Sequence, residues 1–188
     1  MEDLNTEILE LNTDEDFKKI GELLIPIKEF VEEKHRDNIY DDWNEYEHTL
    51  RWLSERKKDF LCNNNLYAYL LKDKNKIIGI NFVSMGEDIA KKFKKDNNLE
   101  TEDNNKVGIL SAFYILKKYR NKRIGSRWLK YEVFKDLKTR GIETIYIKSS
   151  HNKALSLYDK LGERVGNYIG ISDNYLYQRL GYIFRIKI

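Results

Sequence analysis

From Phe113 to Ser126 the chain reads Phe-Tyr-Ile-Leu-Lys-Lys-Tyr-Arg-Asn-Lys-Arg-Ile-Gly-Ser. An apolar run gives way to a basic turn, and the turn to a helix start that carries a glycine. Unpaired backbone N–H groups at the positive end of a helix attract anions, phosphate and pyrophosphate among them. Gly125 would let main chain approach such a ligand closely, and Ser126 would add a hydroxyl donor. Arg120, Lys122, Arg123 and Arg127 would draw a polyanion from a distance. Further on, Tyr158 offers a phenol able to give a proton to a leaving group. Ser149-Ser150-His151 has no partner acid nearby, so it is not read as a hydrolase triad. His35, His48 and His151 have no metal-ligand spacing, and no metal is expected.

These residues need elements to hold them. Val107 to Leu116 reads as a buried strand. After the basic loop, Trp128, Leu129, Val133, Phe134 and Leu137 share one side of a helix that Gly141 ends as a C′ residue. Thr144 to Ile147 is another strand and Ala154 to Leu161 another helix, closed by Gly162. Strands around Arg164–Ile171 and Tyr175–Ile188 complete that half. Upstream, Thr6 to Leu11 opens with a short strand. Asn12-Thr13-Asp14 then caps a helix through Phe17, Ile20, Leu23 and Leu24, which Pro26 kinks or splits. A second helical stretch starts at Asp41-Asp42, with Trp43, Tyr46, Leu50 and Leu53 at spacings of three and four. Leu66–Leu71 and Lys76–Val83 flank the turn Asp73-Lys74-Asn75 as a hairpin. Residues 86–105 read as a surface insert with a helix near Ile89 to Phe93. The order β-α-α-β-β-β-α-β-α-β-β implies one mixed α/β sheet.

Composition bounds the answer. The 188 residues suit one domain, 1–188, and 41% hydrophobic with 13% aromatic content supplies a core. The single Cys62 excludes an internal disulfide and favours a reducing, cytoplasmic setting. No signal peptide or membrane span is expected. The net charge of +3 hides an asymmetry: residues 1–60 carry 9 Lys+Arg against 18 Asp+Glu, and residues 106–188 carry 18 against 6. An acidic first third and a basic last half point to different partners. A nucleic-acid partner is not expected, because the basic residues gather at one helix start and follow no known binding motif.

Arg120-Asn121-Lys122-Arg123-Ile124-Gly125 resembles the acetyl-CoA signature of the GNAT family of N-acetyltransferases, Gln/Arg-x-x-Gly-x-Gly/Ala. Arg120 matches the first position and Gly125 the last, while Arg123 stands where the first glycine is usual. His151 to Gly162 resembles a later motif of that family, Asn-x-x-Ala-x-x-x-Tyr-x-x-x-Gly, with Asn152, Ala154, Tyr158 and Gly162 as its residues. One helix and one strand separate the two motifs. The resemblance covers essentially residues 66–188.

It implies the α/β GNAT (acyl-CoA N-acyltransferase) fold, a mixed, mostly antiparallel central sheet of about seven strands flanked by helices, and transfer of an acetyl group from acetyl-CoA to an amine. Tyr114, Ile115 and Leu116 would pair with the pantetheine arm. Arg120, Asn121, Lys122, Arg123, Ile124, Gly125 and Ser126 would hold the pyrophosphate. Asn152 would bond the pantetheine or cap its helix, and Tyr158 would be the general acid at the departing thiolate. An N–H near Ile115 would meet the oxyanion. No carboxylate lies between Val107 and Leu116 to act as base. The acceptor would meet an acidic, aromatic stretch that includes Glu32, Glu33, Asp37, Tyr40, Asp41, Asp42, Trp43, Glu45 and Glu47. Of these Tyr40, Asp41 and Trp43 are the candidate contacts for a cationic amine. The expected partners are acetyl-CoA and that amine, with no nucleic acid and no membrane, a homodimer being left open. The alternative is a non-catalytic acyl-CoA-binding domain, which would not need the chemistry of Tyr158.

Overall fold

Six consecutive buried residues, Leu66 to Leu71, open the second strand of the sheet. A strand buried without alternation must be covered on both faces. The computed structural model describes residues 4–24, 66–99, 103–150, 152–171 and 178–188. Its strands are β1 (Leu4–Glu10), β2 (Leu66–Asp73), β3 (Lys76–Met85), β4 (Val107–Ile115), β5 (Thr144–Ser149), β6 (Glu163–Ile171) and β7 (Gln178–Lys187). They form one seven-stranded sheet in the order β1-β2-β3-β4-β5-β7-β6. Every neighbouring pair is antiparallel except β4 with β5. The fold is the mixed, mostly antiparallel α/β sheet expected.

Helix α1 (Asp14–Leu24) starts where Asn12-Thr13-Asp14 predicts. Thr13 Oγ1 accepts from the Asp16 N–H at 3.3 Å, and Asp16 Oδ2 accepts from the Thr13 N–H at 2.8 Å, a reciprocal cap. The Thr13 hydroxyl also donates to Asp16 Oδ2 at 2.8 Å, and that bond first, with the Thr13 and Asn12 N–H groups, holds the Asp16 carboxyl below its ordinary value. The kink at Pro26 and the second helix from Asp41 lie outside the described residues.

Helix α2 (Glu87–Asp96) falls inside the stretch expected as a surface insert. One side of it is not surface. Ala90 is fully buried with Val107, Tyr146 and Ile183, and Phe93 meets the Tyr146 ring at a centroid distance of 5.7 Å. Its lysines dominate the composition, but Ile89, Ala90 and Phe93 at helical spacing cover one face of the sheet.

The other face carries helix α3, a continuous helical run over 124–139 with a π-helical turn at Leu129–Val133. Its buried positions are those the periodicity predicts: Trp128, Leu129, Val133, Phe134 and Leu137. Gly141, at φ 81°, closes it. The Gly141 N–H bonds Lys138 O and the Ile142 N–H bonds Leu137 O, both at 3.0 Å, the two bonds of a Schellman cap. Polar groups drawn into this layer find partners: Tyr69 Oη donates to Asp136 Oδ2 at 2.7 Å, and Trp128 Nε1 to Thr6 Oγ1 at 3.0 Å. Burial, with Asp136 beside it, pushes the Tyr69 phenol well above its ordinary value.

Candidate active site

The parallel ladder between β4 and β5 is short. It runs from Val107↔Thr144 to Leu110↔Ile147 and stops, although β4 continues to Ile115 and β5 to Ser149. Beyond Leu110 the two strands part. Two things accompany the parting. On its β3 side β4 has one residue too many: Ile80 pairs Tyr114 and Phe82 pairs Ser111, which leaves Ala112 and Phe113 opposite Asn81. Such a bulge bends the strand that carries it. On the far side, β5 turns into helix α4 (Asn152–Leu161), with Ser149 and Ser150 buried before it.

The opening presents main chain. The Leu116 N–H bonds Ile78 O at 2.9 Å, so alternation turns the polar groups of Ile115 away from β3. Arg120 Nε donates to Ile115 O at 2.6 Å, which agrees. Of the three residues expected to meet a pantetheine arm, Ile115 alone turns its N–H and C=O to the open side. Tyr114 turns its groups to β3, as Leu116 does its N–H, while Leu116 O accepts from the Tyr119 N–H at 2.9 Å. A ligand amide bonding Ile115 O must compete with Arg120, whose guanidinium also stacks 4.7 Å from the centroid of the Tyr114 ring.

The loop after β4 is held at both ends. Tyr119 Oη donates to Asp73 Oδ2 at 2.6 Å, tying the loop to the β2–β3 hairpin, and that carboxylate raises the phenol's pKa. Sequence reasoning did not single out Tyr119, although an aromatic ring amid six cations between Lys117 and Arg127 is a legible anchor. Asn121 and Arg123 both take left-handed backbone, φ 60° and 59°. That explains the family's glycine at the position of Arg123: the geometry asks for positive φ, and this chain meets it with an arginine. Arg123 then caps α3, whose first bond is from the Arg127 N–H to Arg123 O at 3.0 Å. The N–H groups of Ile124, Gly125 and Ser126 precede that bond, so they are the orphan donors an anion would meet. Ser126 Oγ donates back to Arg123 O at 3.0 Å. Gly125 brings the helix start close to β4: a Cβ there would lie 3.0 Å from the Phe113 ring and 3.2 Å from Ile115 Cγ1. Its smallness serves helix–strand packing here, in addition to any approach to a ligand.

On α4, Tyr158 is 4% exposed, its ring tilted against Phe184 of β7 at 5.4 Å. Gly162 closes the helix where a Cβ would run into Arg185 O. With Ala154, Tyr158 and Gly162 in register, the motif's asparagine position falls on His151, and Asn152 stands one residue later. The assignment of Asn152 to that position is corrected accordingly: Asn152 opens α4, and His151 lies outside the described residues. Tyr40, Asp41 and Trp43 also lie outside them. Among the described residues no group of three or more His, Cys, Asp or Glu could hold a metal, and no helix is long and apolar enough to cross a membrane.

Here the sheet opens between two parallel strands, beside a basic loop and a helix start. The family profile described as Acetyltransferase (GNAT) family matches residues 27–162, and the chain belongs to that family. It is therefore an acyltransferase, an acetyl-CoA-dependent N-acetyltransferase in general terms. No curated protein matches it. Among solved structures, an acetyltransferase of the GNAT family from Streptococcus pneumoniae superposes with TM-score 0.58 at 17% identity, over 98% of this chain and 100% of that one. A chimera of the spermidine N-acetyltransferase SpeG from Vibrio cholerae with hSSAT gives TM-score 0.57 at 14% identity, over 98% and 95%. The protein yncA of Salmonella typhimurium, solved with its cofactor acetyl-CoA, gives 0.50 at 12%, over 97% and 93%. At such identities these likenesses establish the shared fold.

Proposed function

We propose that this chain transfers the acetyl group of acetyl-CoA to a cationic primary amine, by direct attack at the opening between β4 and β5. The observation that carries this reading is the end of the β4–β5 ladder at Leu110. A pantetheine arm would enter there and run toward the N–H groups of Ile124, Gly125 and Ser126. Those groups would take the pyrophosphate, with Lys122 and Arg123 exposed beside it. The Ile115 N–H, on the open side, would receive the developing oxyanion.

A free alkylamine, with pKa near ~10, must first lose a proton. Its nitrogen lone pair then forms the new C–N bond at the thioester carbonyl. Collapse of the tetrahedral intermediate breaks C–S, and CoA leaves as a thiolate that takes a proton. Tyr158 is assigned as the donor of that proton. The acidic, aromatic stretch with Tyr40, Asp41 and Trp43 is assigned to the amine, because carboxylates and ring faces attract cations. The chimera that shares this fold is a spermidine N-acetyltransferase, and spermidine is a cationic amine, which supports that choice.

Release of free thiol from acetyl-CoA across a panel of polyamines, amino sugars, lysine peptides and neutral amines tests the reading. Cationic amines are expected to lead. Better turnover with neutral or acidic acceptors would overturn the acceptor assignment, and no thiol release with any amine would overturn the transfer itself.

A further inference from the structure

Two buried polar side chains flank the β4 bulge without a hydrogen-bond partner among the described residues. Asn81, on β3, has neither amide atom bonded, and Ser111, on β4, has its Oγ buried and unbonded. A buried hydroxyl left unpaired costs about 1–3 kcal/mol, so a donor that reached it would be held there. Asn81 is 0% exposed and sealed inside the sheet, so it offers no route to a ligand. Ser111 is different. It is the first residue of β4 past the last ladder pair, Leu110↔Ile147, so it stands at the apex of the opening, and its residue keeps partial exposure.

The face it occupies follows from register. Ser111 pairs Phe82, and Ile109 pairs Ser84, so Ser111 and Ile109 share the face that α2 covers at Val107 and Tyr146. Phe113 and Ile115 lie on the other face, against Gly125 and the start of α3. A donor whose diphosphate sits at the start of α3 would therefore thread its thioester toward the apex from one face. The acceptor has the opposite face left to it. That is the face of Ser111.

We infer that Ser111 Oγ accepts a hydrogen bond from the attacking amine, a contact that orients the nitrogen lone pair toward the thioester carbonyl. The inference rests on the acetyl-transfer reading above. Val107 to Leu116 contains no carboxylate, so this hydroxyl is the polar side chain that β4 places at the apex.

The test is steady-state kinetics of Ser111→Ala and Ser111→Thr with the best acceptor of the amine panel, alongside acetyl-CoA titration and thermal melts. Loss of one such bond predicts that Ser111→Ala lowers kcat/KM for the amine about tenfold. Its acetyl-CoA Kd should stay within about twofold, and its melting midpoint should hold or rise, because an unpaired buried hydroxyl is removed. Ser111→Thr, which keeps the hydroxyl, should recover most of the loss. Wild-type amine kinetics in Ser111→Ala overturn the inference, as does a parallel fall in acetyl-CoA affinity and melting midpoint, which marks a packing role. If the wild type binds acetyl-CoA but acetylates no amine, the transfer reading and this inference fall together. Transfer that proceeds unchanged in Ser111→Ala removes the inference alone.

Discussion

Replacing Arg123 with glycine separates the backbone demand of the signature loop from its charge. Arg123 sits at φ 59°, ψ 11°. A left-handed conformation costs an L residue about 1–2 kcal/mol, and glycine escapes that cost. Glycine in turn loses about 0.5–1 kcal/mol more conformational freedom on folding. The balance leaves Arg123→Gly more stable by about 0.5–1 kcal/mol, which for a chain this long raises the melting midpoint by about 1–4 °C. The charge acts oppositely. One exposed guanidinium beside a bound diphosphate contributes about 0.2–1 kcal/mol, so acetyl-CoA should bind about 1.5–5-fold more weakly in low salt. The deficit should shrink near 1 M salt, where the Debye length falls to about 3 Å. Arg123→Ala keeps the strained φ, so it should lose the same affinity without the gain in stability. Asn121→Gly, at φ 60°, should gain less, because asparagine tolerates this region. Thermal melts and acetyl-CoA titrations at two salt concentrations read all three. An Arg123→Gly protein that melts below wild type refutes the strain argument, and an affinity loss indifferent to salt refutes the electrostatic one.

Other outcomes follow from single contacts. Tyr158→Phe should lower turnover about 100-fold or more while acetyl-CoA still binds, and unchanged kinetics would remove Tyr158 from the mechanism. Gly162→Ala drives a Cβ against Arg185 O and should destabilise by about 1–3 kcal/mol in denaturant melts; an unshifted midpoint would mean that α4 does not approach β7 this closely. Thr13→Ala should cost about 1 kcal/mol by removing the α1 cap. The Tyr119–Asp73 bond raises the folded phenol pKa, so its contribution is present at neutral pH and is lost as pH rises through that folded value. Tyr119→Phe should accordingly flatten the alkaline limb of the stability profile, and an identical alkaline limb in wild type and variant would count against the bond.

Much of the fold is legible because the sequence repeats its periods plainly. The α3 stripe of Trp128, Leu129, Val133, Phe134 and Leu137, the β2–β3 hairpin and the glycine at 141 are local signals, and each lands where it is read. Helix α2 was harder. Its lysines outnumber Ile89, Ala90 and Phe93, so composition argued for surface although the spacing argued for a buried stripe. The parting of β4 from β5 and the bulge at Ala112 and Phe113 have no residue signature, since both are set by which strand pairs with which. For the same reason an apolar run predicts that Tyr114, Ile115 and Leu116 form strand, but not which of them turns its N–H to the opening. Ser111 was legible only as the absence of a carboxylate; its unpaired hydroxyl is a tertiary fact.

Amide hydrogen exchange of the full chain, with and without acetyl-CoA, tests the central claim most directly. The account predicts slowed exchange at Ile124, Gly125, Ser126 and Ile115, with β6 and β7 unchanged. Protection that appears elsewhere and leaves those four amides exchanging at their free rate would contradict it.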